Sequence, residues 1–288
     1  MSPYHQGILT LISINVTAVL GVSLLTGFTG LFSFGHAGFM SVGAYTAAIL
    51  TVRQGLPFFI SLPLAGAAAA IVSLIMYPTL KLKGDYFAIA ALGFGEAFRL
   101  IVENGGKFTG GARGFPGMPH YTTLWVALFV TALACLLMRN TILSRFGRSF
   151  MAIREDRLAA EALGIDVVRY QMLALAISAF YAGVGGGMFA FYMQYIQPIM
   201  FDIAKSTELA ASVVFGGLGS LTGSVVAAVI LTAIPEVFRP LAQWRMVFYG
   251  LALVLTIVIR PQGLLGFYEI SLGGLRSLVK RPRREAGA

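Results

Sequence analysis

A chain of 288 residues that is 57% hydrophobic and 11% charged, with a mean hydropathy of +0.81, is not composed like a soluble domain, in which about a quarter of residues carry charge. A membrane span needs roughly 20 apolar residues, so there is material for about eight to ten spans and none left for a separate soluble domain. The net charge of +9 points to membrane topology and not to nucleic acid, because eleven of the 21 Lys and Arg fall in two short segments, at 145, 148, 154, 157 and 169 and at 260, 276, 280, 281, 283 and 284. By the positive-inside rule both segments face the cytoplasm. The run from Lys280 to Arg284 is also placed to touch anionic lipid headgroups.

The fold class expected is all-α and polytopic, with about eight to ten transmembrane helices, some of them broken or half-length. Residues 8–25 make a first span; no Lys or Arg precedes it and no small-residue cleavage site is evident, so it is expected to be retained and not removed as a signal. The apolar stretch 26–52 is punctuated by Gly27, Gly30, Gly35, Gly38 and Gly43. A third span covers 58–77 and ends at Pro78, with Lys81 and Lys83 just beyond. The fourth, 86–102, carries Glu96 and Arg99 at i, i+3. Ionisable groups are expensive inside a membrane and are functional candidates by default, although these two can simply neutralise one another.

Residues 103–121 are too rich in glycine and proline for a regular helix, and a fifth span follows at 122–138. A sixth span at 167–193 carries Gly183, Gly185, Gly186 and Gly187. The connector 196–207 is polar, with Pro198, Asp202 and Lys205. The run 208–238 is apolar but interrupted at Phe215-Gly216-Gly217-Leu218-Gly219-Ser220, and a last span at 246–259 is closed by Arg260-Pro261. Cys135 is alone in an apolar run, which leaves neither a disulfide nor a cysteine metal site.

The hydrophilic island Gly147 to Tyr170 stands out between the fifth and sixth spans. Residues Ala152 to Leu163 are all fair or good helix formers. Gly164 is suited to end that helix in the left-handed conformation, and Asp166 to cap the next one. On a single helix, Arg154, Arg157 and Glu161 would share a charged face, leaving the alanines on a smooth one. A solvated connector and a docking element both fit that pattern. If 145–169 lies inside, 103–121 lies outside and the tail 267–288 lies inside, provided 208–238 contains a half-helix plus a full span. The side of the N-terminus stays open. A simple count puts it outside, and a broken second segment puts it inside.

The two glycine-broken regions resemble each other: Gly30-Leu31-Phe32-Ser33 and Gly217-Leu218-Gly219-Ser220 share G-L-x-S, each ahead of a helix-forming run. Paired interrupted segments in the two halves of a chain are a pointer to a transport site. Ser33 and His36 either line a polar path, with backbone N–H groups free for a substrate carboxylate, or serve helix packing.

Five ordered motifs carry a family resemblance. Leu158-Ala159-Ala160-Glu161-Ala162-Leu163-Gly164 resembles the EAA-xxx-G loop of ABC importer permeases, with Leu158 where that motif has Glu. The string from Gly30 to Leu50, GLFSFGHAGFMSVGAYTAAIL, is similar to the G-x-x-S-x-G-H-A-x-F-x-x-x-G-A-Y signature of the LIV-type, branched-chain amino acid permeases. Residues 108–115 resemble that family's T-G-G-x-[DN]-G-[LI] loop, with Arg113 where an acid or amide is common. Residues 215–223 resemble its G-G-x-G-S-x-x-G-P element, with Ser224 in place of proline, and 260–266 its R-P-x-G-L-x-G ending.

The resemblance implies one transmembrane permease domain over 1–288, in a bacterial inner membrane, belonging to an ABC uptake system for branched-chain amino acids or related small amides and carboxylates. It implies a second related permease, two cytoplasmic ATPases and a periplasmic substrate-binding protein as partners, with no cofactor of the chain's own. Coupling to the ATPases falls on Arg154, Glu155, Leu158, Ala159, Ala160 and Gly164. The translocation path falls on Ser33, Gly35, His36, Gly216, Gly217, Gly219 and Ser220, and the binding-protein face on Thr109, Gly110, Gly111 and Arg113.

Gly105-Gly106-Lys107 lacks the spacing of a phosphate-binding loop, so a separate ATPase is required. No metalloprotease or serine-hydrolase motif is present, and His5, His36 and His120 are scattered, so neither an enzyme nor a metal site is expected. The competing reading is a gradient-driven carrier or channel for small amino acids or amides, which would need an unpaired buried carboxylate. Glu96 is the one mid-span candidate.

Overall fold

The computed structural model describes residues 3–82 and 85–237, with isolated positions 250 and 254. The expected last span at 246–259, the Arg260 motif and the basic tail therefore lie outside the described residues. Within them the chain is helical apart from one short strand pair. In order the helices are α1 (Pro3–Val22), α2 (His36–Val52), α3 (Phe58–Ser73), α4 (Asp85–Glu103), α5 (Gly106–Thr109), α6 (Leu124–Leu143), α7 (Arg145–Glu155), α8 (Arg157–Ala162), α9 (Val167–Met193), α10 (Ile203–Gly216) and α11 (Leu221–Val237). Four helical runs are long and apolar enough to cross a membrane, Pro3–Phe28, Phe58–Lys81, Leu124–Leu143 and Val167–Met193, and His36–Val52 and Leu221–Ile234 are shorter apolar helices. This is a multi-pass, all-α membrane protein.

Local chemistry sets where these helices change. α1 runs on into a π-helical turn, Ser23–Phe28. α3 tightens into a 3-10 helix over Leu74–Lys81. The switch falls at Leu74, four residues before Pro78, whose missing N–H and bulky ring remove the α-helical bond to that carbonyl. The third span thus passes through Pro78 instead of ending there.

α9 is the hub. Its four glycines let three helices come within backbone distance: a Cβ on Gly183 would meet the Ala69 side chain of α3 at 2.7 Å, and one on Gly185 would meet Ala18 of α1 at 3.2 Å. A Cβ on Gly186 would strike the Met40 carbonyl of α2. Small residues at such crossings are how membrane helices gain packing when lipid offers no hydrophobic drive. Together with Phe39, Phe191 and Leu20, these contacts make the core.

Direction follows from the contacts. Tyr192 near the end of α9 donates its hydroxyl hydrogen to the Gly7 carbonyl at 3.2 Å, while the Gly27 carbonyl meets Arg154 of α7 at 2.6 Å. α1 therefore runs antiparallel to α9, and residue 7 lies at the end opposite the 145–169 loop. The N-terminus and the loop therefore lie at opposite ends of the helices, the relative placement that the simple count gives. α10 and α11 repeat the arrangement: Gly219, between them, sits beside Gly27, whereas Thr232 of α11 reaches Asn15 midway along α1. The described part of that run, 208–237, is thus two helices meeting at a break.

Candidate functional site

Both glycine breaks lie at the loop end, side by side. A Cβ on Gly27 would stand 3.1 Å from the Gly219 amide nitrogen, and Ser23 at the start of the π turn is bonded to Ser224 of α11, Oγ to Oγ at 3.0 Å. The paired G-L-x-S strings take similar local roles. Gly30 and Gly217 both adopt positive φ, +76° and +111°. Buried Ser33 accepts the Gly35 N–H at 3.3 Å in the turn ahead of α2, and buried Ser220 accepts the Gly223 N–H of the first turn of α11 at 3.0 Å. Ser224, the departure from proline, also donates to the Ser220 carbonyl at 3.0 Å.

Of the residues expected along a path, Ser33, Gly35, His36, Gly216, Gly217 and Ser220 are buried, and Gly219 is half-buried. His36 is 1% exposed, and its Nε2 lies 2.6 Å from Ser178 Oγ. The Ser178 hydroxyl hydrogen is already committed to the Gly21 carbonyl at 2.7 Å. Nε2 must therefore carry the proton and donate to Ser178, which links α2, α9 and α1 in one relay. Gly216 and Gly223 pack backbone to backbone, closing the angle between α10 and α11.

The loop corrects one expectation. Ala152 to Leu163 is not a single helix. Asp156 interrupts it with extended backbone (φ −154°, ψ 113°), and its Oδ1 accepts the N–H groups of Leu158 at 2.8 Å and Ala159 at 3.0 Å, starting α8. An aspartate is a poor helix-interior residue and a strong cap, and here capping wins. Consequently Arg154, Arg157 and Glu161 do not share a face. Arg157 pairs with Glu161 at 3.3 Å on α8, while Arg154 belongs to α7 and turns inward. The other punctuation stands as expected. Gly164 (φ +82°) closes α8 with bonds from its own N–H to Glu161 and from Ile165 to Ala160, which is a Schellman motif. Asp166 Oδ1 caps α9 at Arg169 N, 3.1 Å.

The six coupling candidates fall into two groups. Glu155, Leu158, Ala159 and Gly164 are exposed. Ala160 is buried against Ile153 and Val167, and Arg154 is half-buried. Two large leucines stand in the open on this polar loop, Leu158 at 77% and Leu163 at 80% exposure.

At the opposite end, residues 103–121 form a short helical turn, a 3-10 turn and one strand in place of a regular helix. Thr109 is buried and donates to the Val102 carbonyl at 2.6 Å while accepting Gly111 N–H at 3.2 Å. Gly110 and Gly111 hold positive φ. Strand β1 (Phe115–Pro116) pairs antiparallel with β2 (Tyr195–Ile196), tying the segment to the end of α9. Arg113 is exposed, and its carbonyl accepts the Tyr195 hydroxyl.

On α4, Arg99 donates Nε to Glu96 at 2.7 Å and Nη1 to Glu103 at 2.8 Å. Glu96 is therefore not the unpaired carboxylate that a proton-coupled carrier needs. A second polar cluster escaped the sequence reading. Lys205 Nζ bonds Asn15 Oδ1 at 2.9 Å and Glu208 Oε2 at 3.1 Å, and Asn15 Nδ2 donates to Thr232 at 3.0 Å. An asparagine and a glutamate inside apolar runs were its signal.

Long helices around a glycine-packed hub, with interrupted helices meeting beside a polar loop, make this a multi-pass helical membrane protein. Residues 4–259 match the family model for the branched-chain amino acid transport system permease component, and the chain belongs to that family. It is 33% identical to the high-affinity branched-chain amino acid transport system permease protein LivM of Salmonella typhimurium, over 90% of this chain and 69% of the relative. The same values hold for LivM of Escherichia coli K12. It is 27% identical to the probable branched-chain amino acid transport permease protein LivH of Methanocaldococcus jannaschii, over 91% of each. The chain is thus a transmembrane permease component of a branched-chain amino acid ABC import system, a transporter subunit and not an enzyme.

Proposed function

We propose that this permease works in the bacterial inner membrane as one transmembrane domain with the 145–169 loop in the cytoplasm. Its partners are a second related permease, two ATPases docked on that loop and a periplasmic binding protein on the 103–121 face. The observation that carries the reading is the pair of leucines, Leu158 and Leu163, standing exposed on a short helix fixed at both ends by the Asp156 cap and the Gly164 turn. Apolar side chains held rigidly in a polar, arginine-rich loop suit insertion into a pocket of a partner protein.

In this reading Glu155, Leu158, Ala159 and Gly164 form the docked surface, and Arg154 and Ala160 anchor it to the membrane helices. Five arginines between 145 and 169 support the cytoplasmic placement. The N-terminus and Thr109, Gly110, Gly111 and Arg113 then lie outside. ATP-driven closure of the ATPases would shift α7 and α8 as a body and part the two breaks, exposing Ser33, Gly35, His36, Gly216, Gly217, Gly219 and Ser220 to the substrate.

The test is uptake by the reconstituted complex carrying Leu158→Asp with Leu163→Asp. We expect the ATPases to be lost on purification and uptake to fall at least about tenfold, the effect of roughly 1.4 kcal/mol of lost docking energy. Normal uptake with ATPases retained would overturn the assignment.

A further inference from the structure

We propose that Arg154 is a latch that holds the two glycine breaks together and carries the movement of the docking loop to them. This inference rests on the coupling role proposed for the loop and adds a residue-level route. The Gly27 carbonyl belongs to the last turn of the π helix, where carbonyls run out of intrahelical partners. Two carbonyls earlier in the same turn are satisfied locally, Leu24 by the Thr29 hydroxyl at 3.0 Å and Leu25 by the Leu31 N–H at 3.1 Å. Gly27 instead receives Arg154 Nη1 at 2.6 Å, from a residue 127 positions away on α7. A cation at the negative end of a helix is electrostatically favoured as well.

The same guanidinium touches the other break. Gly219 (φ +90°) leaves open the space that Nη1 fills, and a Cβ there would collide with it. Gly30 does the same for the stem, since its Cβ would lie 3.4 Å from Arg154 Cγ and 3.6 Å from Arg154 Cα. Glycines at 27, 30 and 219 thus form a socket for one side chain. Arg154 is part of α7 and moves with it, and α7 is packed through buried Phe150 and Ile153 and through Gly147 against the Ile142 carbonyl. Withdrawal of the guanidinium would strand the Gly27 carbonyl and open the seam between Gly27 and Gly219. The planar, multi-donor guanidinium suits a socket with several backbone walls, and an ammonium fits it less well.

The test uses the full complex with the single Cys135 changed to Ala and Ser220→Cys added as a reporter beneath the seam. The rate of labelling by a membrane-impermeant maleimide from the cytoplasmic side is read without ATP. We expect slow labelling in this background, acceleration of at least about tenfold with Arg154→Met, and an intermediate rate with Arg154→Lys, as a population shift toward the parted state requires. Arg157→Met, which removes only the exposed pair with Glu161, should leave the rate unchanged. The ATPases should co-purify with Arg154→Met at the normal ratio, which separates loss of the latch from loss of docking. An unchanged labelling rate in a complex of normal size, equal acceleration by Arg157→Met, or loss of the ATPases with Arg154→Met would each overturn the latch. The Arg154→Lys variant keeps the stem and the charge if Arg154→Met does not assemble.

Discussion

Ser178→Ala is the sharpest test of how the hub is held. The Ser178 hydroxyl serves two helices at once, donating to Gly21 of α1 and accepting from His36 of α2. Removing one oxygen leaves a buried imidazole N–H without its acceptor and a carbonyl without one of its donors. In a water-soluble interior each such orphan costs about 1–3 kcal/mol. Between membrane helices single hydrogen bonds average about 0.6 kcal/mol and reach about 1.7, because the unfolded state in lipid also finds partners. Two linked bonds at 0% exposure place the loss at about 1–2 kcal/mol. Ser212→Ala provides the comparison, since that hydroxyl only bonds back to the Glu208 carbonyl of its own helix, and its loss should stay within about 0.5 kcal/mol. Reversible unfolding of both variants in mixed micelles measures the difference. If Ser178→Ala is no more destabilising than Ser212→Ala, the relay through His36 does not hold these helices together.

Three other variants probe the remaining joints. Gly186→Ala drives a methyl into the Met40 carbonyl, so α2 must shift and the folded permease should lose about 1–3 kcal/mol, read as a lowered thermal midpoint in detergent. Asp156→Ala removes the cap from α8 at a cost of about 1 kcal/mol; amide exchange over 158–163 should quicken while that over α9 does not. Lys205→Met leaves Glu208 beside Asn15 without its cation. The Glu208 side chain is 33% exposed, so the loss should be about 2 kcal/mol, below the 3–5 of a fully buried pair. Adding Glu208→Gln should recover part of that stability, as a double-mutant cycle would register.

The four long spans were legible because hydropathy over some twenty residues is a local property, and so were the glycine breaks, the Gly164 stop and the Asp166 cap; the expected span 86–102 forms a helix but is not among the runs apolar enough to cross a membrane. The partition of Glu96 and Arg99 was readable from their i, i+3 spacing. Where reading failed, the deciding partner was remote or two local rules competed. The sequence 152–163 favours helix at nearly every residue, and only the capping strength of Asp156 argues for the break that forms. Arg154 shows helical spacing with Arg157, yet a socket built from Gly27, Gly30 and Gly219 takes it out of that face. Lys205 read as a connector residue because Asn15 lies 190 positions away.

Sidedness of the loop is the point on which docking, coupling and the latch all depend. Leu163→Cys places a thiol at the C-cap of α8, where Leu163 is 80% exposed, and in a Cys135→Ala background it is the one cysteine of this sequence. With the permease expressed without its ATPases, which would otherwise cover this position, an impermeant maleimide should label it in inside-out vesicles and leave it silent in right-side-out spheroplasts. Reaction in the spheroplasts would put the loop on the external face, where no ATPase could reach it.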